Sequence, residues 1–517
     1  LRVADSSTAT IRLSGQLEYD SPEWWLKRLL TLFTAQQLRV RDWEEYHDGN
    51  QPLAFASDKF RETFGRRYGG LPANFMPLII DAESERLIVQ GFRFNNKTEG
   101  DGGAWRVWQE NQLDAESQIA HDLALIKGIS FAMVSPPMKG SDFPLITIED
   151  PSEVVVESVP GNRRLRRAAL KVWMDDEGYG RANMFLPDAV YKFRTRVKRT
   201  DSSAGSLPNV TWDIYDTEDE GVWPIKNPSA PEIPIIPLIN RPRRDGTGRS
   251  ELQSVIGNQN AINKLRFDAL VASEFVAFPQ RYALNIDVPV DPDTGRDIAP
   301  FKPGVDMLWT VRRPTPEEAA TYGDKVPTPM LGQFPQGDLS PYIDLINQEV
   351  GEMASNGRTP YHYLLSMPTS VPPSGESLKA SEARLVKKVV RQSVHFGEGW
   401  EETMRLALIL YGQNAKAKTD GETIWADPET RNEAARTDAI IKQVAIGLPF
   451  AFALEELGYS QTQISRILLL KAAEDEVRKA EAQELMEATA KAKAAASQPD
   501  DANDEDGLDN DGGSAVQ

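Results

Sequence analysis

Ser340-Pro341, Thr359-Pro360 and then Ser366-Met367-Pro368-Thr369-Ser370-Val371-Pro372-Pro373-Ser374-Gly375 punctuate residues 340–413, and their placing decides the fold. Ser340-Pro341 reads as an N-cap followed by proline at the first helical position, and Thr359-Pro360 closes that helix. The Pro/Ser run after it cannot be helical, because proline lacks the N–H and clashes with the preceding turn. From Glu376 to about Gly412 there is no proline, and the helix this implies is roughly 54 Å long at about 1.5 Å per residue. Two rods joined by an irregular loop imply a large scaffold rather than a compact pocket.

Working outward, residues 280–339 are irregular and rich in proline and glycine, with short strands such as Leu308-Trp309-Thr310-Val311. They read as a small domain inserted between two helices. The helix before it runs from near Ser250 to about Phe278, where Pro279 ends it. Near the N-terminus, Ser21-Pro22-Glu23 opens a helix to about Tyr46, with Trp25, Leu29, Leu32, Phe33 and Trp43 as its apolar markers. Asp48-Gly49-Asn50 stops it, and a further helical segment is expected around Asp58–Tyr68. Leu87–Phe92 reads as a strand, Trp105–Ile126 as one helix ending at Gly128, and Phe131–Val134 as a strand. Ile146 to Tyr215 is β-rich: Tyr191, Phe193, Thr195 and Val197 alternate with Lys192, Arg194 and Arg196. Pro224 to Pro242 is a connector. Asp427-Pro428-Glu429 starts a further helix, Gly458 ends another, and Ser460 with Gln463 forms a capping-box pattern for the last one. That helix runs towards Ala496, and the acidic tail after it has the composition of a disordered segment.

The 517 residues leave room for several domains. Acids outnumber bases 77 to 58, and the net charge is −19. Seven of the acids, from Asp500 to Asp511, fall in the last eighteen residues with no Lys or Arg among them. Such a protein is not expected to cling to DNA phosphates, although it suits a contact that has to be loose. With no cysteine, disulfides, thiolate metal sites and cysteine nucleophiles are excluded. Leu1-Arg2-Val3-Ala4-Asp5 lacks the apolar core of a signal peptide. The apolar run Val444–Leu454 is too short to span a bilayer and contains Pro449. A soluble, intracellular protein is expected.

Catalytic motifs are scarce. No Gly-Lys dipeptide occurs, so there is no Walker A loop. His47, His121, His362 and His395 lack metal-ligand spacing, and no Gly-x-Ser-x-Gly elbow occurs. No metal and no cofactor is expected. Two basic clusters stand out: Arg163-Arg164-Leu165-Arg166-Arg167, and Arg241, Arg243, Arg244 and Arg249. They read either as phosphate contacts or, in preference, as salt bridges to acids within or between subunits. On the long helix Leu378, Leu385, Val389, Phe396, Trp400 and Met404 form an apolar stripe. Lys379, Arg384, Lys387, Lys388 and Arg391 mark its polar side, either a solvated face or a dock for an acidic neighbour in an assembly.

Several local patterns, in this order, resemble those of tailed-phage portal proteins of the SPP1 type. Trp43-Glu44-Glu45-Tyr46-His47-Asp48-Gly49-Asn50-Gln51-Pro52-Leu53 is similar to an early family segment, with Asn74 and Glu85-Arg86-Leu87 through Gly91-Phe92 following. Gly248-Arg249-Ser250-Glu251-Leu252, then Asn263, Asp268 and Pro279-Gln280-Arg281, resemble a first stem helix and its exit. Met353 to Pro360 resembles the end of a second stem helix, although Asn356-Gly357-Arg358 departs from the family's usual Ala-x-x-Thr. Ser374-Gly375-Glu376-Ser377-Leu378-Lys379 looks like the start of a long wing helix, and Asp427-Pro428-Glu429-Thr430, Asp438 and Gly447-Leu448-Pro449 like the crown side.

The resemblance implies an α+β portal fold: helical stem, α/β wing, small inserted clip domain, helical crown and disordered acidic C-terminal tail. Its divisions are a wing region at 1–245, a first stem helix at 246–279, the clip at 280–339 and a second stem helix at 340–360. A tunnel-loop region follows at 361–375, then the long wing helix and connector at 376–426, the crown at 427–496 and the tail at 497–517. Ser250, Leu252, Asn263, Asp268, Ile343, Ile346 and Val350 fall on the stem. Ser366, Met367, Pro368, Thr369, Ser370, Val371, Pro372, Pro373 and Ser374 form the tunnel loop. Arg241, Arg243, Arg244 and Arg249 are a candidate basic interface. The implied role is structural, not enzymatic: a homo-oligomeric ring, typically a dodecamer, at one capsid vertex. Double-stranded DNA passes through it without sequence readout. The implied partners are the terminase large subunit, the major capsid protein and the head–tail connector, in the virion and, during assembly, in the host cytoplasm; no membrane is involved. The competing readings are a metal-dependent nuclease and another capsid-associated adaptor.

Overall fold

The computed structural model describes residues 10–11, 13, 17–52, 73–94, 100–198, 207, 210–215, 224–229, 231–277, 281–285, 293–295, 316–322, 330–333, 337–365, 374–413, 421–429 and 433–495. After strand β1 (Thr10–Ile11), helix α1 (Pro22–His47) starts as expected. Ser21 accepts from the Trp24 N–H at 3.2 Å and Pro22 takes the first turn. Helix α2 (Met76–Ser84) and strand β2 (Val89–Phe94) follow. The single helix expected over Trp105–Ile126 is two: α3 (Gly102–Glu110) and α4 (Leu113–Lys127). The break falls at Gln112, whose φ of 54° is left-handed, and Asn111 uses its amide and carbonyl to tie the break to Pro144 and Ile146.

Next come strands β3 (Ile129–Ser135), β4 (Leu145–Glu149), β5 (Val154–Val159), β6 (Asn162–Met174), β7 (Gly180–Phe185), β8 (Ala189–Thr195), β9 (Trp212–Ile214), β10 (Ile225–Lys226) and β11 (Ile235–Ile239). They build an antiparallel sheet in the order β1-β9-β8-β7-β6-β5, with β10 paired to β8, and a second sheet ordered β11-β3-β4. The alternation read from the sequence sorts their faces. In β6, Ala168, Leu170 and Val172 turn towards Trp25, Leu26, Leu29, Leu30 and Phe33 of α1, while Ala169 turns the other way. There it joins Phe131 of β3 and Ile235 of β11. Ala132 and Val134 of β3 face a third and largest core.

That core is organised by the long helix. A single 3-10 turn, Leu252–Ser254, leads into α5 (Ile256–Ala277). Strand β12 (Arg281–Leu284), helix α6 (Pro316–Tyr322) and strand β13 (Met330–Gln333) precede α7 (Ser340–Gly357), α8 (Tyr361–Leu364) and α9 (Gly375–Leu410). Ser374 caps α9, accepting from the Ser377 N–H at 3.3 Å. Leu385, Val389, Phe396, Trp400 and Met404 are all buried, as their spacing predicts. Gly399 permits the crossing over β11: a Cβ there would lie 2.5 Å from Leu238 Cδ2. Strand β14 (Gly421–Trp425) pairs with β2. Helices α10 (Glu433–Ala445), α11 (Phe450–Glu456) and α12 (Gln461–Ala495) complete the chain. The capping box of α12 is formed, with Gln463 Oε1 accepting from the Ser460 N–H at 2.9 Å.

Three sequence boundaries move. Ser340 is not an N-cap: it is the first helical residue, and Asp338 accepts its N–H at 2.9 Å. Ser250 and Leu252 precede α5, because Ser250 Oγ accepts the Leu252 N–H and sets the 3-10 turn instead. Asp427 starts no helix; it accepts the Glu429 N–H, an Asx turn, and α10 begins at Glu433. The segments expected at Asp58–Tyr68 and Leu308–Val311, the run Ser366–Pro373 and the acidic tail lie outside the described residues.

Candidate functional site

Helices α5 and α7 form an antiparallel hairpin. Asn258, in the first turn of α5, donates to Glu349 at 2.9 Å and accepts from Asn356, near the end of α7, at 3.0 Å. At the far end Gly337 lies against Val276. The chain between the two helices leaves and returns through the β12–β13 ribbon, in which Arg281 faces Gln333. An insertion is therefore carried at one end of a two-helix rod. Of the residues expected on this rod, Val350 is fully buried and Asn263 nearly so, Asp268 pairs with Lys264, Ile346 is half-buried and Ile343 is 58% exposed. Helix α7 carries Asp344, Glu349 and Glu352 and no Lys or Arg.

The other end of the rod is fastened by a buried ionic hub. Lys388 of α9 has 3% of its side chain exposed and donates to Glu83 of α2. Its Nζ also lies 2.7 Å from Glu251, just before α5, and donates at 2.7 Å to the Gly357 carbonyl that ends α7. Gln392, one turn on, donates to both carboxylates. Asn240 donates to Glu251 at 2.7 Å, and the Arg241 guanidinium pairs with it at the same distance. Two carboxylates thus face two cations, and a helix-terminal carbonyl left without an intrahelical partner is satisfied by an ammonium.

Burial pushes Glu83 up to about 7 against the pull of Lys388. Burial also pushes Glu251 up, but Lys388 and Arg241 outweigh it and hold this carboxyl below its ordinary value. For Lys388 burial works against the charge, and the two carboxylates outweigh it, so its pKa is raised. The backbone at the hub is equally constrained. Gly128, the left-handed cap of α4, lies so close to Gly248 that a Cβ on Gly248 would sit 1.7 Å from the Gly128 oxygen.

A second anchor holds the short helix α8 beside the start of α9. Tyr363 donates to Glu382 at 3.0 Å and accepts from Arg86 at 2.6 Å, and Arg86 reaches Glu382 at 3.4 Å. Of the expected tunnel-loop residues, Ser366–Pro373 lie outside the described residues; Ser374 is the exposed cap of α9. The residues on either side of the run are thus tied to one helix.

The expected basic interface divides. Arg241 is spent inside the hub, Arg243 donates to Gln253 at 3.0 Å, and Arg244 and Arg249 are exposed. Arg166 and Arg167 pair with Glu402 and Glu157, the intra-chain salt bridging that the sequence favoured. His121 is a core residue: it is fully buried, accepts from Trp400 Nε1 at 2.9 Å, and is pushed down to about 3 by burial. Among the described residues no group of three or more His, Asp or Glu is placed to hold a metal ion, and no helix is long and apolar enough to cross a membrane.

The hub is what sequence reading missed, having placed Lys388 on the polar side of α9. The signal was present: Lys388 follows Leu385 by three residues and precedes Gln392 by four, so it borders the apolar stripe.

An insertion carried on a two-helix rod, braced at its base on one long helix buried along one face, has the build of a structural scaffold. The chain belongs to the phage portal protein family, SPP1 Gp6-like, whose sequence model matches residues 29–489. The portal protein of Mycobacterium phage D29 is 28% identical over 470 residues, covering 87% of this chain and 89% of that one. The portal protein of Mycobacterium phage L5 is 27% identical over 472 residues, covering 87% and 88%. A chain in the neck of an empty GTA particle, computed with C6 symmetry, is similar at a TM-score of 0.42 and 13% identity, covering 79% of this chain and 95% of that one.

Proposed function

We propose that this chain assembles into a closed ring, a dodecamer, at one capsid vertex and passes double-stranded DNA through its centre without chemistry of its own. In this reading α5 and α7 are the stem helices and residues 280–339 are the clip. The clip meets the terminase large subunit during packaging and the head–tail connector afterwards, while the major capsid protein surrounds the ring. The observation that carries it is the antiparallel hairpin with an insertion at one end and a buried brace at the other, in a chain of the portal family.

The physics supports passage rather than binding. Helix α7 adds three carboxylates and no base to the rod, so a duplex beside it is repelled and slides, where Lys and Arg would hold it. Residues 366–374 contain no charged side chain and offer contact without base readout. Ring closure calls for head-to-tail interfaces, one face of each copy meeting a different face of the next.

Negative-stain imaging of the purified protein tests the ring; a monodisperse monomer under all conditions, even alongside capsid protein, would sink it. Deleting residues 366–374 is expected to leave rings intact and to abolish packaging or retention of DNA. Loss of the rings themselves would make this segment an interface instead. Nicking of plasmid in Mg²⁺ or Mn²⁺ would favour the nuclease reading.

A further inference from the structure

One flank of this acidic chain is rich in bases, and its cations form no ion pair with a carboxylate among the described residues. On α9, Arg384, Lys387 and Arg391 are exposed on a single helical face at three- and four-residue spacing, and Val390 (47% exposed) and Val394 (61%) lie among them. Arg163, at the β5–β6 turn, continues the face: it is exposed and donates to the Arg243 carbonyl. The half-buried His395 is pushed down by burial and then by the cations of Arg391 and Arg163, which outweigh Glu398 one turn on, so helix and turn share one electrostatic field. Beyond Arg163 the surface opens into a cleft of about 1300 Å³, between α1 and the loop after β11, lined by Arg39 and Arg244, by the acids Asp42, Glu157 and Asp245, and by apolar Leu32 and Val159.

Several other arginines of the chain find carboxylates: Arg28 and Arg167 share Glu157, Arg93 meets Glu455, and Arg405 meets Glu232 and Glu402. Arg39, Arg163, Arg244, Arg384, Lys387 and Arg391 have no carboxylate partner among the described residues. In a chain with nineteen more acids than bases, a second copy is the ready source of the missing carboxylates. The two exposed valines favour a protein surface over a nucleic acid one, since apolar side chains gain nothing from phosphates and are characteristic of an interface centre. We propose that this flank, centred on Lys387, Val390, Arg391 and Val394, is one half of the head-to-tail contact between ring neighbours and takes an acidic surface of the next copy. It deepens the ring reading above and rests on it.

The test is native mass spectrometry of full-length wild type and of K387E/R391E at equal concentration, with a melting curve for each. The expected result is at least a tenfold smaller fraction of K387E/R391E in rings, with melting of the dissociated chain unchanged. Rings at the wild-type level in K387E/R391E would overturn the assignment of this face. No rings in the wild type would instead overturn the ring reading itself. A second measurement needs no variant. In rings mixed from ¹⁵N-labelled and unlabelled wild type, carbodiimide is expected to join Lys387 to a carboxylate of the differently labelled chain. Cross-links from Lys387 confined to chains of the same label would contradict the proposal. So would intact K387E/R391E rings that have lost affinity for a fluorescent 30-base-pair duplex, which would give the flank to DNA.

Discussion

Helices α9 and α12 are nearly equal in length, 36 and 35 residues, and are built to opposite specifications. Along α9 the apolar stripe is covered by α3, α4, β3, β11 and β14, and its one interior cation is matched by two acids. Among the described residues helix α12 is fastened in its first third, where Thr462 accepts from Trp105, Ile464 is buried and Lys471 lies over the Phe450 ring at 3.7 Å. Beyond Leu468 its described side chains are exposed apart from the half-buried Asp475, and they include Leu469, Leu470, Val477, Leu485 and Met486. A helix whose apolar residues are scattered on all sides gains little from folding onto its own chain. In the proposed ring, the difference separates what one chain completes alone from what it leaves to a neighbour.

The comparison is broken most severely at Lys388. Methionine there keeps the length and removes the charge, leaving Glu83 beside Glu251 with only Arg241 against them. Breaking a buried ion pair from one side costs about 3–5 kcal/mol, so K388M is expected to lower the urea midpoint by that equivalent. Adding E83Q removes one stranded carboxylate and is expected to return about 1–3 kcal/mol of coupling. If K388M melts like wild type, α9 is not held by the hub, and the two helices differ less than their burial implies.

A smaller effect sharpens the account of the hub through pH. Glu83 has a folded pKa raised to about 7, so the folded state holds a proton that the unfolded chain has released above its ordinary pKa of about 4.5. Its effect on stability therefore worsens as pH rises from about 4.5 to 7. His121 acts the other way: pushed down to about 3 in the fold, it lets the unfolded chain bind the extra proton below about 6.5, so stability rises with pH there. In the wild type the two slopes oppose one another. E83Q removes the first, and its stability is expected to climb more steeply between pH 5 and 7, by urea denaturation at fixed ionic strength. An unchanged slope would mean that Glu83 is ionised throughout this range in the fold.

The legible parts of the chain are those set by local chemistry. Ser21-Pro22 opens α1, Ser374 opens α9, Ser460 and Gln463 cap α12, and the period-two alternation in β8 marks a strand. Each is decided by a few neighbouring residues. The two helices of the hairpin are legible from the proline boundaries at Pro279, Pro341 and Pro360, but not their antiparallel pairing. What escaped depends on distant partners. Gln112 breaks a pattern that reads as one helix, and Asn111 fixes that break to residues more than thirty positions away. Lys388 looks solvated until Glu83, 305 positions earlier, is brought beside it. The two glycines at 128 and 248 meet only in the folded chain.

The smallest expected effect on the single chain falls on α12. Leu485 and Met486 are 69% and 72% exposed, and exposed substitutions away from caps and cores change stability by about 0.5 kcal/mol or less. L485S/M486S is therefore expected to leave the melting of the dissociated chain unchanged. In the proposed ring the outcome differs: if neighbouring copies cover this helix, serine removes apolar area from their contact, at about 25 cal/mol per Å² lost from burial. With one such loss per subunit around a closed ring, the ring is expected to dissociate at lower urea while the chain does not. Comparing ring dissociation by light scattering with chain unfolding by circular dichroism separates the two. A drop in chain stability would show that α12 is completed within its own chain, as α9 is. Unchanged values in both would leave these two side chains in solvent on the assembled ring as well, and the neighbour's contact would then fall on the first turns of α12 or on the basic flank of α9.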